Sequence, residues 1–369
     1  MSRIGFVNLL SVLVLTLASN TLWATVTYQV GTCKPGHSFP TITAALTATP
    51  PPNVVKVCPG TYPEQVVITQ AVILEGMISG NGGDVIIASP PNGLVVNARD
   101  DLGDPIAAQL YVENNQGPTQ ISDMTLDAAN NEVQSPAYVA GIFFQNSSGT
   151  VNHVATRNQI GGAGGVGMWI EGGLLLPAVT VENSSIRYFD DIGIWDQTNA
   201  AASELTATIK DNDVNGGFGS GVIANFDIAM GPGATTTVED NHLAGGVTGV
   251  IAAATATGSI TGNQLIADGT AIAINGGGVS VTSNNIFLSS IEGIVLYSAL
   301  LPAIRGNTIT GCPIGIELNG FADGNLHANT IMDGGVGLDQ VPVGFAAINS
   351  YYNVSTIMVN VGGGAATRK

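Results

Sequence analysis

The chain has 369 residues, a formal net charge of −17 at pH 7 and only 10 Lys and Arg residues. Nucleic acids and anionic membrane surfaces are held mainly by Lys and Arg, so an acidic chain of this composition is a poor partner for either. It would also repel a polyanionic polysaccharide unless a cation such as Ca²⁺ bridged the charges, and no other cofactor is indicated.

Residues 1–24 have the pattern of a secretory signal peptide. Arg3 precedes an apolar run over residues 4–17, and the small residues Ala18 and Ala24 follow it. This order of basic start, short apolar stretch and small residue is typical of export signals, and we expect cleavage after Ala24, with Ala18 as the alternative. The other interpretation is a retained N-terminal anchor. Export predicts a secreted, periplasmic or cell-surface protein without membrane insertion after cleavage.

Residues 25–60 are predicted to form an N-terminal cap. Residues 26–30 alternate as in a short strand, and apolar residues across 40–48 have the spacing of a short amphipathic helix. Cys33 and Cys58 flank the segment, and an exported chain can join them in a disulfide. A covering element is expected here because the end of a strand stack exposes its core and unpaired edges.

A fixed repeat organises residues 61–361. Gly-type positions, each followed by an aliphatic residue, recur every 22 residues at Gly249, Ala271, Gly293, Gly315 and Gly337 and, less regularly, earlier at Gly141, Gly167, Gly193 and Gly221. Aliphatic residues alternate after each mark, which predicts short strands. A fixed period of this length predicts a solenoid, here a parallel β-helix with strands about 4.8 Å apart. The alternative, a β-sandwich with Gly and Asn turns, would not keep its spacing constant.

A second motif, apolar-x-x-Asn-x-apolar, lies between the Gly marks. Amide side chains stacked in successive coils can hydrogen-bond to one another along the axis of a solenoid. We therefore predict a structural ladder, with Ser184 in one coil, made of Asn158, Asn212, Asn241, Asn263, Asn284, Asn307 and Asn329.

Three segments, Phe39–Leu46, Val54–Glu64 and Val72–Gly76, resemble the opening of pectin-lyase-like β-helix proteins, especially pectinesterases. The Gly and Asn coils resemble the repeat of the carbohydrate-binding and sugar-hydrolase domain family. These resemblances imply an all-β, single-stranded right-handed parallel β-helix with a short N-terminal capping helix, and a polysaccharide as partner. Right-handedness also agrees with the chirality rule for parallel crossovers. The pectinesterase and polygalacturonase signatures are absent, apart from an isolated Asp190–Asp191 pair.

One outward face carries the candidate binding residues. Aromatic rings stand two residues after the Gly marks of three successive coils, and amides or a carboxylate stand four residues after them. Rings beside hydrogen-bonding groups suit a sugar. The alternative is that long loops fold over the rings and make them a secondary core. The predicted substrate-binding residues are Phe143, Trp169, Trp195, Gln145, Gln197 and Asn225.

Cleavage of a polysaccharide would require carboxyl groups for acid–base chemistry. The candidates are Asp190, Asp191, Asp196 and Glu171; Asp196 falls on an inward position, where burial would perturb its pKa. No acidic spacing specifies a Ca²⁺ loop, so the metal is left open. The hypothesis is a secreted protein that binds, and could cleave, a polysaccharide. The alternative is a non-catalytic envelope or adhesion module. Residues 362–369 are predicted to be a disordered tail.

Overall fold

A computed structural model describes residues 25–77, 84–113, 115, 117–173, 176–198, 205–216, 224–266, 268–276, 278–297, 303–319, 325–341, 346 and 348–359. The predicted signal peptide and the predicted tail at residues 362–369 lie outside these residues. So does the mark at Gly221.

The described residues form a right-handed parallel β-helix with three faces, which we name A, B and C. In each coil the chain crosses face A first, then face C and then face B. Faces A and C belong to one 22-stranded sheet, and face B is a 13-stranded sheet. No helix in this part of the chain has both the length and the apolar character needed to cross a membrane.

The strands of each face pair in parallel with those of the coils before and after. Face A comprises Thr27–Val30, Val54–Val57, Ile73–Gly76, Thr119–Asp127, Gly149–Arg157, Ala178–Glu182, Leu205–Lys210, Ala234–Glu239, Thr257–Thr261, Gly278–Thr282, Ile304–Arg305 and Leu326–His327. Thr119–Asp127 and Gly149–Arg157 continue into face C, whose other strands are Gly60–Pro63, Val85–Ala88, Ser185–Arg187, Asp213–Asn215, His242–Ala244, Gln264–Ile266, Asn285–Phe287, Thr308–Thr310, Thr330–Met332 and Ser350–Tyr352.

Face B contains twelve parallel strands and one short antiparallel strand, Ala98–Arg99, which pairs with the start of Pro105–Glu113. The parallel strands are Val66–Ile68, Pro105–Glu113, Tyr138–Gln145, Gly165–Gly172, Ile192–Thr198, Ala224–Met230, Gly246–Ala252, Thr270–Ile274, Glu292–Leu296, Ile314–Leu318, Val336–Asp339 and Thr356–Val359.

The core runs along the axis because side chains of a strand alternate between inside and outside. Ile209, Val238 and Ile260 stack in successive coils of face A, and Ile194 and Ile228 do so on face B; all five are fully buried. Complete burial of each such side chain contributes about 1.5–3 kcal/mol relative to exposure.

The cap contains one short helix, Ile42–Leu46. Thr41 caps it by accepting a hydrogen bond from the Ala44 N–H, and Ile42, Ala45 and Leu46 are its buried side. Nearby, Cys33 and Cys58 form a disulfide with their Cα atoms 5.5 Å apart, which is the pair expected from the sequence.

The asparagine ladder runs from Asn212 to Asn329, and each amide Nδ2 donates to Oδ1 of the next member at 2.9–3.0 Å. It continues to Asn349, which the sequence reading missed. Asn158 is not a member, so that prediction is wrong. The strand Gly149–Arg157 continues through the position where later coils turn, and its Val154 N–H therefore meets Ser184 Oγ, while Asn158 donates to Asp127.

The Gly marks lie where the interior is narrow. A Cβ on Gly315 would lie 2.6 Å from the carbonyl oxygen of Gly337 and 2.8 Å from Ile331 Cγ2. The register places Asp227 between Gly193 and Gly249, so the assignment of this position to Gly221 is wrong. The mark of this coil therefore lies several residues later than predicted, and so do the outward positions that were counted from it.

Candidate functional site

The aromatic residues of face B are in register, as the repeat predicts. Tyr111, Phe143, Trp169 and Trp195 follow one another in successive coils, with ring centroids 5.4, 5.4 and 4.3 Å apart. Phe143 and Trp169 are nevertheless 0% exposed, and only Trp195 is half-buried. The open platform is therefore wrong for Phe143 and Trp169, which form the secondary core named as the alternative.

The segment that covers the rings precedes them in the sequence. It is not one of the long loops that the sequence suggested as a cover. Strand Ala98–Arg99 folds back on face B, and Gln145 Nε2 donates to the Arg99 carbonyl at 2.7 Å. The Asp101 N–H donates to Glu171 Oε1 at 2.9 Å, and Tyr138 packs edge-on against Trp169. Residues 98–104 thus close the upper part of the stack.

Gln145, Glu171 and Gln197 form one polar row beside the rings. Burial raises the pKa of Glu171 to about 7, and the charges of Asp101 and Asp100 act in the same direction against hydrogen bonds from Asp101 and Gln145. Glu171 and Gln197 are almost fully buried. Gln145 and Glu171 therefore brace the cover, and a ligand in solvent does not reach Glu171 or Gln197.

Two further candidate carboxylates are occupied by internal contacts. Asp196 points inward and is 0% exposed; it accepts hydrogen bonds from the Gly231 N–H at 3.0 Å and Thr236 Oγ1 at 2.7 Å. Burial raises its pKa to about 7 despite these bonds. Asp190 accepts from the N–H groups of Gly161 and Gly165 and holds their loop. Asp196 is therefore shielded from solvent, and both oxygens of Asp190 are engaged by backbone donors.

An accessible apolar surface remains beside the aromatic stack. It consists of the partly exposed residues Tyr138, Trp195, Phe226 and Ile251, which we call the rim patch. Sequence reasoning missed Tyr138 and Phe226. Phe226 directly precedes Asp227, which occupies the position of the Gly mark in its coil. Recognising Asp227 as that mark would have identified Phe226.

Asp191 and Asn225 flank the rim patch. Asn225 is exposed and donates from Nδ2 to Asp191 Oδ1 at 2.7 Å, so it lies beside Asp191 and not in the row of Gln145, where the sequence reading placed it. Burial raises the pKa of Asp191, as does the charge of Asp190, while the Asn225 bond opposes them. Here a hydrogen-bonding pair borders exposed rings.

Carboxyl groups gather farther along the same face. Glu292, Glu317 and Asp339, which we call the acid patch, stand on three successive strands, and Glu317 is the direct neighbour of Asp339. Burial, the hydrogen bond that protonated Glu292 donates to Glu317, and the charge of Glu317 together raise the pKa of Glu292 to about 7. Gln340 Nε2 donates to Glu317 Oε1 at 3.0 Å. None of these residues was a sequence candidate.

Within the described ranges, no three His, Cys, Asp or Glu side chains are arranged to hold a metal ion. The Ca²⁺ expectation therefore has no described ligand set. A shallow groove of about 350 Å³ lies on face C, away from both patches, and is lined by Asp240, His242, Gln264, Asn285 and Phe287 together with neighbouring backbone.

The fold defines a member of the right-handed parallel β-helix proteins. A family model described as "Periplasmic copper-binding protein (NosD)" matches residues 171–368, more than half of the chain. The chain belongs to this family. No curated protein sequence gives a significant match.

Solved structures share the fold at low identity. The catalytic domain of a GH87 alpha-1,3-glucanase in complex with nigerose is 11% identical over 92% of this chain and 66% of that chain, with a TM-score of 0.52. The GH136 lacto-N-biosidase from Eubacterium ramulus is 11% identical over 84% of this chain and 62% of that chain, with a TM-score of 0.50. The chain thus spans less than two thirds of either structure, and the likeness shows the fold alone.

Proposed function

We propose that this protein is an exported β-helix protein that binds a polysaccharide at the rim patch of face B. The observation that carries the proposal is the partial exposure of Tyr138, Trp195 and Phe226 next to the Asp191–Asn225 pair. A sugar offers an apolar ring face and many hydroxyl groups, and this surface offers both complements. The family description as periplasmic supports export to the periplasm or beyond.

The same geometry favours binding over cleavage. Of the four carboxyl groups proposed for catalysis, Asp196 and Glu171 are buried and Asp190 holds a loop. Asp191 is half-buried and engaged with Asn225. A glycosidase needs two carboxyl groups on opposite sides of the scissile bond, and these four do not supply such a pair.

Copper, named in the description of the family, was tested against the residues present. Copper sites use His, Cys and Met ligands. In the described part of the chain, His242 has a carboxylate neighbour, Asp213 at 3.4 Å, and Cys312 is buried and outside the disulfide. Because no three His, Cys, Asp or Glu side chains converge in the described residues, His242 and Cys312 do not fit a copper site, and no step through copper follows.

Titration against a panel of neutral and charged polysaccharides tests the proposal. Trp195→Ala and Phe226→Ala are each expected to weaken binding by about 1–3 kcal/mol, the usual range for aromatic anchors, with little change in melting temperature. Acrylamide should quench Trp195 and spare the buried Trp169. Tyr352→Ala is the matched control, because that ring is 60% exposed on face C.

Two results would count against the proposal. One is the absence of binding to every polysaccharide in the panel. The other is equal weakening by Tyr352→Ala and Trp195→Ala, which would show that any exposed ring suffices. Either result would favour a rigid, non-catalytic envelope module.

A further inference from the structure

Charge is distributed unequally among the three faces. The twelve parallel strands of face B contain seven Asp and Glu residues and no Lys or Arg. The described Lys and Arg ion pairs lie on faces A and C, for example Lys210 with Glu182 at 2.9 Å and Lys56 with Glu75 at 3.3 Å. Among the residues that the structure describes, the acidic groups on the outer side of these twelve strands form no ion pair with Lys or Arg.

The acid patch concentrates this uncompensated charge. Glu317 and Asp339 are each only 8% exposed, although both point outward from face B. Thr270 Oγ1 donates to Glu292 Oε2 at 3.3 Å, and Gln340 donates to Glu317. These neutral donors hold the carboxyl groups in position without cancelling their charge.

A second observation indicates that the acid patch lacks a partner. Asp339 Oδ1 is fully buried and has no hydrogen-bond donor among the described residues. Its charge acts on Glu292 and lies beside Glu317 in the register, so this oxygen belongs to the patch. A buried carboxylate oxygen without a donor is costly, and a positive charge held at the exposed edge of the patch, beside Glu292, would offset part of the cost.

An exposed ring adjoins the same carboxyl groups. Tyr297 is 52% exposed, and the charges of Glu292 and Glu317 both raise its pKa, after the larger effect of burial. The patch thus combines an aromatic surface with acceptors for a cationic donor. A protonated amine carries three donors and a positive charge, which suits the carboxylates of Glu317 and Asp339 beside protonated Glu292.

The acid patch and the rim patch lie on the same column of face B. From Trp195 the column passes through Ala229, Ile251, Ala273 and Val295 to Glu317. Five strand steps of about 4.8 Å separate its ends by about 24 Å. Of the intervening side chains only Ile251 is partly exposed, so the two patches are separate contact points on one face.

We propose that face B selects an amine-bearing glycan, a polymer of amino sugars with free amino groups, and that the acid patch binds those amines. This inference rests on the proposed polysaccharide binding and specifies its substrate class. A polyuronate would meet like charges on this face, and a fully acylated or neutral glycan would bring hydrogen-bond donors but no positive charge.

Matched oligosaccharides of glucosamine, N-acetylglucosamine, glucose and galacturonic acid test the inference by calorimetry in mildly acidic buffer, where sugar amines carry a proton. The glucosamine oligomer should bind most tightly. Glu317→Gln and Asp339→Asn should each weaken it by at least about tenfold, because charge-assisted hydrogen bonds are lost. Binding of the N-acetylated and neutral oligomers should hardly change.

Glu239→Gln on face A is the matched control, since it removes the same charge outside the column. Melting temperatures check folding, and both patch variants should melt no lower than the parent because a like-charged neighbour is removed. Should Glu317→Gln fail to fold, Asp339→Asn still tests the site.

The outcomes separate this inference from the binding function. Should neutral oligomers bind through Trp195 with no advantage for the amine, the binding function stands and this inference falls. Equal loss in Glu239→Gln, or binding of spermine but not of the glucosamine oligomer, also overturns it. No binding of any oligomer would remove both proposals.

Discussion

At the scale of residues, the interior of the solenoid contains buried carboxyl groups. Asp196 is fully buried, and Asp227 and Asp268 form a buried pair. Burial and the neighbouring carboxyl group raise the pKa of Asp227 well above its ordinary value, and burial raises the pKa of Asp268 to about 7. The folded protein therefore holds protons that the unfolded chain releases near pH 4.

Stability should consequently depend on pH with a definite sign. Because the folded pKa of Asp196 is about 7 and the unfolded value is about 4, the folded state binds more protons between these values. The free energy of unfolding should be highest below about pH 4 as far as this group is concerned, and should fall as pH rises through about 7. Asp196→Asn, whose oxygen accepts from the Gly231 N–H and whose Nδ2 donates to Thr236 Oγ1 in place of the present reverse bond, should flatten this slope.

Urea unfolding at a series of pH values measures the effect. Glu132→Gln, at an exposed carboxylate, is the control and should keep the slope of the parent protein. An unchanged slope in Asp196→Asn would show that Asp196 is ionised in the folded state.

The asparagine ladder links successive coils through side-chain hydrogen bonds. Asn263 Nδ2 donates to Asn284 Oδ1 at 3.0 Å and to the Val238 carbonyl, and the Asn263 N–H also donates to Asn284 Oδ1. Replacing Asn284 with Leu removes the acceptor of two donors in the preceding coil and leaves them buried.

We therefore expect Asn263→Leu and Asn284→Leu each to lower the free energy of unfolding by about 1–3 kcal/mol. Asn285→Leu is a matched control, because this neighbouring side chain is exposed. Chemical denaturation compares the three variants. An Asn285→Leu variant as unstable as Asn284→Leu would mean that the apolar substitution, and not the lost ladder bond, causes the effect.

The parts of the fold that could be predicted from the sequence are those whose interactions repeat in every coil. The stride of 22 residues from Gly249 onward fixed the coil, and Asn212 to Asn329 then followed from one motif. Asn158 failed because its strand omits a corner, a deviation that a local motif does not record. The fold class could be predicted because every coil repeats the same packing arrangement.

The candidate site was less accessible because it depends on non-periodic contacts. The cover over Trp169 comes from Asp101 and its neighbours, far away in sequence, and no repeat predicts where an insertion folds. The stride places Glu317 and Asp339 at equivalent positions of successive coils, as the structure has them, but the acid patch was missed because Glu292 precedes its Gly mark and meets Glu317 only in the folded chain. Aromatic periodicity alone could not distinguish an open platform from a covered one.

At the scale of the whole molecule, the solenoid is a rod with chemically different sides. Its twelve face B strands span eleven steps of about 4.8 Å, so we expect the long axis to be about 50–60 Å. Small-angle scattering should give an elongated distance distribution of that length. A compact, symmetric distribution with a shorter maximum would contradict the arrangement.

The ladder also determines how such a molecule can change its length. Each amide needs only the acceptor of the next coil, so duplication or loss of one complete coil between Asn241 and Asn263 would rejoin equivalent partners and restore both the core and the ladder. An insertion of one residue inside a strand would instead exchange inside for outside. Evolution can therefore lengthen or shorten this protein in whole coils, and the distance between the rim patch and the acid patch changes with it in equal increments.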